Sequence, residues 1–356
     1  MSGSKVSRSV RAHETWIDYA RAVCAVAVVF LHAWGTVVVS HTAQEIGLVR
    51  LAVWECLDLA LGSFAVPVFF MLTGYLLLDR DKEVGLDRIR RYALRMLGVL
   101  VAFGYPYCLI EHVVGGEGPS LALLGACVVD LLCGETWDHM WYVYAILGFY
   151  LTLPLFKRFA QAATRAEWEL VQVVLGVFVL GFSTVRDIFS VDLVALTPFL
   201  GTSAFYILLG GYVRTFWRDD EHTPAWVVPT GLAALALGLV LACVAIAVTG
   251  DRILIIRNPE CPLVVMWALA VFVMLRRAGH GATGAAPQAA VRSLATCSFG
   301  IYLVNPVFYH VMYRLLGLSP LGLPYGASVL LVATDLAASW VLAWVLRRVP
   351  GYRRLL

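Results

Sequence analysis

Apolar residues run in long blocks along the chain, broken by short polar stretches in which arginine recurs. A helix needs about 20 apolar residues to cross the hydrocarbon core of a bilayer. Blocks of that kind predict ten transmembrane helices, at 15–39, 49–78, 92–113, 138–156, 168–185, 197–217, 225–249, 260–276, 293–316 and 322–346. An eleventh block, 120–133, is short for a span and predicts a re-entrant or interfacial helix instead. The pattern therefore predicts an all-α polytopic bundle of about ten spans, one integral-membrane domain over 1–356.

Composition agrees with the pattern. The chain is 60% hydrophobic and 14% charged, against about 25% charged in an average soluble domain. Lipid must then be the solvent for most of it. The arginines sit between apolar blocks and not on one basic face, so no nucleic-acid surface is expected. Eight cysteines form no C-x-x-C pair and read as small buried apolar residues. The first apolar run is long, which predicts a retained helix and not a cleaved signal peptide.

Charge sets the orientation. With a cytoplasmic start and ten spans, 22 of the 27 Lys and Arg residues fall on the cytoplasmic side and 5 outside. That asymmetry is the positive-inside rule. Counting 120–133 as a span would reverse every later basic cluster. Both termini are thus expected in the cytoplasm, 114–137 outside, and the Gly- and Ala-rich 278–292 as a flexible cytoplasmic loop.

Ionisable groups at membrane depth face a protein interior or a wet cavity. The first span carries Arg21 and His32 eleven residues apart, within about 20° of three full turns, so they share one face about 16 Å apart along the axis. Asp18 lies three residues before Arg21. Histidine can act as a general base toward a hydroxyl, and arginine suits phosphate. Glu55 and Asp58, near the outer end of the second span, could orient the imidazole or line an acceptor pocket. Arg88, Arg91 and Arg95 share a stripe with Arg90 beside it, fit either for anchoring to headgroups or for holding a cytoplasmic phosphate. His139 and Trp141 open the fourth span on its outer side. Ser298, Tyr302, Asn305 and Tyr309 make one polar stripe in an apolar helix, either interhelical glue or a cavity wall. Asp335 is a lone acid in the last span.

Six blocks in order resemble the acyltransferase 3 family of membrane acyltransferases, and most closely its bacterial surface-glycan O-acetyltransferase branch. They are the Arg-x10-His helix, VPVFFMLTGYLLL with Phe69 and Gly74, and the Arg-rich entry to the third helix. HMWYVYAILGFYLTLPL, FYILLGGYV and SFGIYLVNP complete the set. The resemblance implies a ten-helix protein of the bacterial inner membrane that takes acyl-coenzyme A, usually acetyl-coenzyme A, from the cytoplasm. It implies acylation of a hydroxyl on a glycan or lipid-linked sugar, with His32 essential and no metal. Thr73 stands where serine is common, and Asn305 where a histidine often follows the SFGIYL block.

On this reading His32 is the base, assisted by Arg21, Glu55 and Asp58. Arg88, Arg91, Arg95, His139, Tyr302 and Asn305 serve the donor. Direct transfer and an acyl-histidine intermediate both stay open. The rival class is a secondary transporter or flippase, with the same polar residues along a substrate path. Transporters often show repeated halves and broken helices in matching positions, and neither is clear here.

Overall fold

The computed structural model describes residues 15–39, 43–189, 201–218, 221–251, 254–281, 285–318 and 323–356. Among them, eight helical rods are long and apolar enough to cross a membrane. The chain opens with α1 (Thr15–Val39), followed by α2 (Leu48–Leu61) and α3 (Ala65–Leu77). Next, α4 (Leu86–Val99) passes through a π turn at Leu100–Gly104 into α5 (Tyr105–Val114). The short α6 (Leu121–Cys133) precedes α7 (Trp141–Ala162). Then come α8 (Arg165–Leu175), α9 (Phe182–Phe189) and α10 (Thr202–Phe216). The last five are α11 (Val227–Thr249), α12 (Pro262–Gly281), α13 (Ala285–His310), α14 (Tyr325–Leu346) and α15 (Pro350–Leu355).

The sequence pattern and the helices diverge in several places, three of which have a local cause. The second expected span is two helices, because a turn at 62–64 interrupts it before Pro67, which has no amide to donate. The π turn ahead of α5 stands just before Pro106 for the same reason. The expected loop at 278–292 is largely helical: α12 runs to Gly281 and α13 begins at Ala285. Alanine-rich AAPQAAVR favours helix over loop. Residues 282–284 lie outside those described. The segment 197–217 holds a 15-residue helix, α10, and 121–133 holds the 13-residue α6.

α1 is the central rod. It packs against α13 most extensively, and against α12, α2 and α3 around it. Trp16, Ala20, Cys24, Val28 and Val29 are among its buried positions. α3 and α10 approach closely, because Gly74 and Gly210 leave no side chain between them. Where α3 ends, Asp79 is buried and joined by Lys82 at 3.1 Å and Arg214 at 2.9 Å. Burial alone would raise its carboxyl, but bonds from Lys82, the Asp81 amide and Arg214 outweigh burial and hold it below the ordinary aspartate range. The Lys157 ammonium donates to the Asp79 main-chain carbonyl, so this polar knot ties α3, α7 and α10 together at one end of the bundle.

Candidate active site

A cavity of about 580 Å³ lies between α1, α3, α4, α7 and α13. One end carries Arg21 on α1, Arg95 on α4, Arg292 on α13 and Arg347 at the end of α14, with Asp18 beside them. Phe69, Leu72, Leu76, Met96 and Ile146 line its apolar middle. On α1 the lining rises to Val28 and on α13 to Tyr302, with Tyr142 of α7 at the same depth. Its walls thus suit a ligand with an anionic head and a less polar arm.

His32 sits one turn beyond Val28 on α1, and Asn305 one turn beyond Tyr302 on α13. They meet: His32 Nδ1 is 2.8 Å from Asn305 Oδ1. His32 also packs edge-on against His139, ring centroids 5.7 Å apart, and lies 6.2 Å from the Tyr302 ring. Tyr302 spans both parts of the site. Its ring lines the cavity and its hydroxyl donates to the main-chain carbonyl of His139. His139 is itself buried, on the short turn Asp138–Met140 that leads into α7. Tyr107 supports it from α5, stacking on Trp137 at 4.1 Å and donating to the Leu303 carbonyl at 2.7 Å.

The sequence-derived residues separate accordingly. Arg21, Arg95 and Tyr302 line the cavity, while His32, His139 and Asn305 form the cluster above it. Arg88 and Arg91 are exposed and do not line it. Glu55 and Asp58 are buried on α2, away from the cavity wall, and Asp58 pairs with Arg257 at 3.2 Å. Ser298 joins the lining, whereas Tyr309 packs with Ala33, Leu51 and Trp54. Arg292 and Arg347 went unassigned to the site by sequence reasoning. Arg292 lies on α13 ten residues before Tyr302 and Arg347 follows the end of α14, and no spacing within either helix marks them as companions of Arg21 and Arg95.

The arginines of the cavity have internal partners as well. Arg95 donates from Nε to the Leu355 carbonyl at 2.7 Å and from Nη2 to that of Leu356 at 3.0 Å. Arg347 Nη1 also reaches the Leu356 carbonyl, at 2.5 Å. The turn of α15 therefore lies against the cationic end, with Leu356 among the lining residues. Chemically, the arrangement offers a cationic seat, an apolar channel and, beyond its far end, an imidazole.

The model of a family described as an acyltransferase domain matches residues 14–345. No curated protein and no solved structure matches the chain.

Proposed function

This chain belongs to the acyltransferase domain family over nearly its whole length, and from that premise we propose that it is a membrane O-acetyltransferase. It takes acetyl-coenzyme A from the cytoplasm and acetylates a hydroxyl of a surface glycan or lipid-linked sugar, in the bacterial inner membrane. Both termini face the cytoplasm. The observation that carries this reading is the cavity that starts among Arg21, Arg95, Arg292 and Arg347 and reaches to one helical turn from His32.

The residues divide the labour. Guanidinium groups form strong, planar hydrogen bonds with phosphate oxygens, so the four arginines suit the phosphates of the donor. The apolar middle suits its thin thioester arm. That order delivers the acyl group toward His32, which removes the proton of the acceptor hydroxyl as the oxygen attacks the acyl carbon. The carbon–sulfur bond breaks, and the thiolate takes a proton to leave as the free thiol.

The test is direct. Purified protein in membranes carrying its own lipid-linked glycans is given acetyl-coenzyme A labelled in the acetyl group. Label in the glycan fraction with matching release of free thiol is the expected result. Movement of an intact substrate across the vesicle with no thiol release would replace the enzyme reading by a transporter.

A further inference from the structure

Asn305 stands beside a proline inside α13, where the helix runs on with one backbone hydrogen bond missing. Proline has no amide hydrogen, so Pro306 cannot donate to the carbonyl four residues before it, that of Tyr302. Asn305 makes good that loss. Its Nδ2 donates to the Tyr302 carbonyl and to the Ile301 carbonyl, both at 2.9 Å. The side chain is fully buried, where an amide must find partners for its polar atoms.

Those two bonds decide which way the amide faces. Nδ2 has two hydrogens, and both are used. Flipping the group would aim Oδ1 at two carbonyl oxygens, with no hydrogen between them. Oδ1 is therefore the atom at 2.8 Å from His32 Nδ1. An amide oxygen can only accept, so the hydrogen of this bond belongs to His32 Nδ1. The neutral imidazole then carries its lone pair on Nε2.

Resting on the acyltransferase reading above, we infer that Asn305 is a positioning residue that fixes His32 as the Nδ1–H tautomer and so makes Nε2 the base. The pair works like the histidine and its orienting partner in other acyl-transfer sites, where the partner holds ring and tautomer and takes no proton itself. An amide cannot accept the proton, so none passes on through position 305. The hydrogen removed from the acceptor hydroxyl stays on His32 Nε2 until the departing thiolate takes it. One imidazole thus serves both halves of the transfer, and the Asn-Pro pair in the helix is what aims it.

Two measurements test this. The first is the ¹⁵N spectrum of protein labelled at histidine, at about pH 8, where an ordinary imidazole is neutral. His32 is assigned by its loss in His32→Gln. We expect the shifts of a protonated Nδ1 and an unprotonated Nε2. A protonated Nε2 in the unmodified protein overturns the proposal whatever the enzyme's activity. Failure of the acyltransferase reading would instead show as absent thiol release with the tautomer as expected. The second measurement is on Asn305→Leu, which keeps bulk and removes the acceptor. It should lose kcat by about 10²–10⁴-fold, with the donor KM within twofold and His32 shifted toward the Nε2–H form. Unchanged kcat with an unchanged tautomer overturns it. Should that variant not fold, the spectrum of the unmodified protein decides alone.

Discussion

Gly74 of α3 and Gly210 of α10 each lie against the other helix's main chain. A β-carbon on Gly74 would strike the carbonyl of Ile207, and one on Gly210 the carbonyl of Met71. The obstacle in both cases is backbone, which no rotamer change relieves. The two glycines lie in the MLTGYLLL and FYILLGGYV blocks of the sequence, so those blocks are two halves of one contact. α3 also supplies Phe69, Leu72 and Leu76 to the cavity wall.

Gly74→Ala and Gly210→Ala should each destabilise the protein by at least the 1–3 kcal/mol or so of ordinary overpacking. Thermal unfolding in detergent measures it. Gly118, with open space around its α-carbon, is the control and should tolerate alanine. Equal melting temperatures for all three variants would mean that α3 and α10 do not touch in this way.

Among the arginines at the entry to the third expected helix, geometry separates one from the rest. Arg95 lines the cavity, and Arg91, one turn earlier, is exposed. Arg95→Ala should weaken acetyl-coenzyme A binding by about tenfold or more, the worth of a charge-assisted hydrogen bond. Arg91→Ala should leave it within twofold. Arg95→Lys should restore only part, because an ammonium is a point charge and not a planar fork. Arg95 also holds the carbonyls of Leu355 and Leu356, so the melting temperature is measured in parallel. Equal donor affinity in the two alanine variants would remove the cavity from the donor's path.

Much of this was legible in the residues, and the reasons for the rest are physical. Hydrophobic block length exposed the helices, since lipid imposes it directly. The eleven-residue spacing put Arg21 and His32 on one face, because a single helix fixes both. Arg292 and Arg347 carry no sequence signal beyond their place among the basic residues of the cytoplasmic side: they join Arg21 and Arg95 through packing of α1, α4, α13 and α14, which no local pattern reports. Arg88 and Arg91 were grouped with Arg95 by periodicity, yet a stripe extends past the cavity and only its last member reaches it. Asn305 was hardest. Its role depends on Pro306 beside it and on His32, 273 positions away.

Orientation in the membrane follows from the charge distribution and is open to a simple check. Single cysteines at Gly85 and Gly351, both in open space, should react with an impermeant maleimide only from the cytoplasm. One at Gly118, in the segment between α5 and α6, should react only from outside. The exposed native Cys133 and Cys243 are first replaced by serine. Outside labelling at Gly351 would overturn the cytoplasmic placement of both α15 and the cationic end of the cavity, since Arg95 and Arg347 bind the same turn.

The enzyme reading depends most on His32, and two substitutions separate its possible roles. His32 packs against His139 and Tyr302 and bonds to Asn305, so a purely structural histidine would leave a trace in stability. Glutamine can still hydrogen-bond to Asn305 but cannot act as a base near neutral pH. Loss of a general base costs about 10²–10⁴-fold in rate. His32→Gln should therefore lose transfer by that factor while its melting temperature and donor affinity hold. His32→Ala should lose as much transfer and also melt lower, since it leaves the Asn305 oxygen buried without its donor. Donor binding should survive in both, because the cavity lining stops at Val28 and Tyr302, one turn short of the imidazole. Near-normal transfer by His32→Gln would reduce the histidine to packing and move the search for the base to His139, whose ring lies 5.7 Å away.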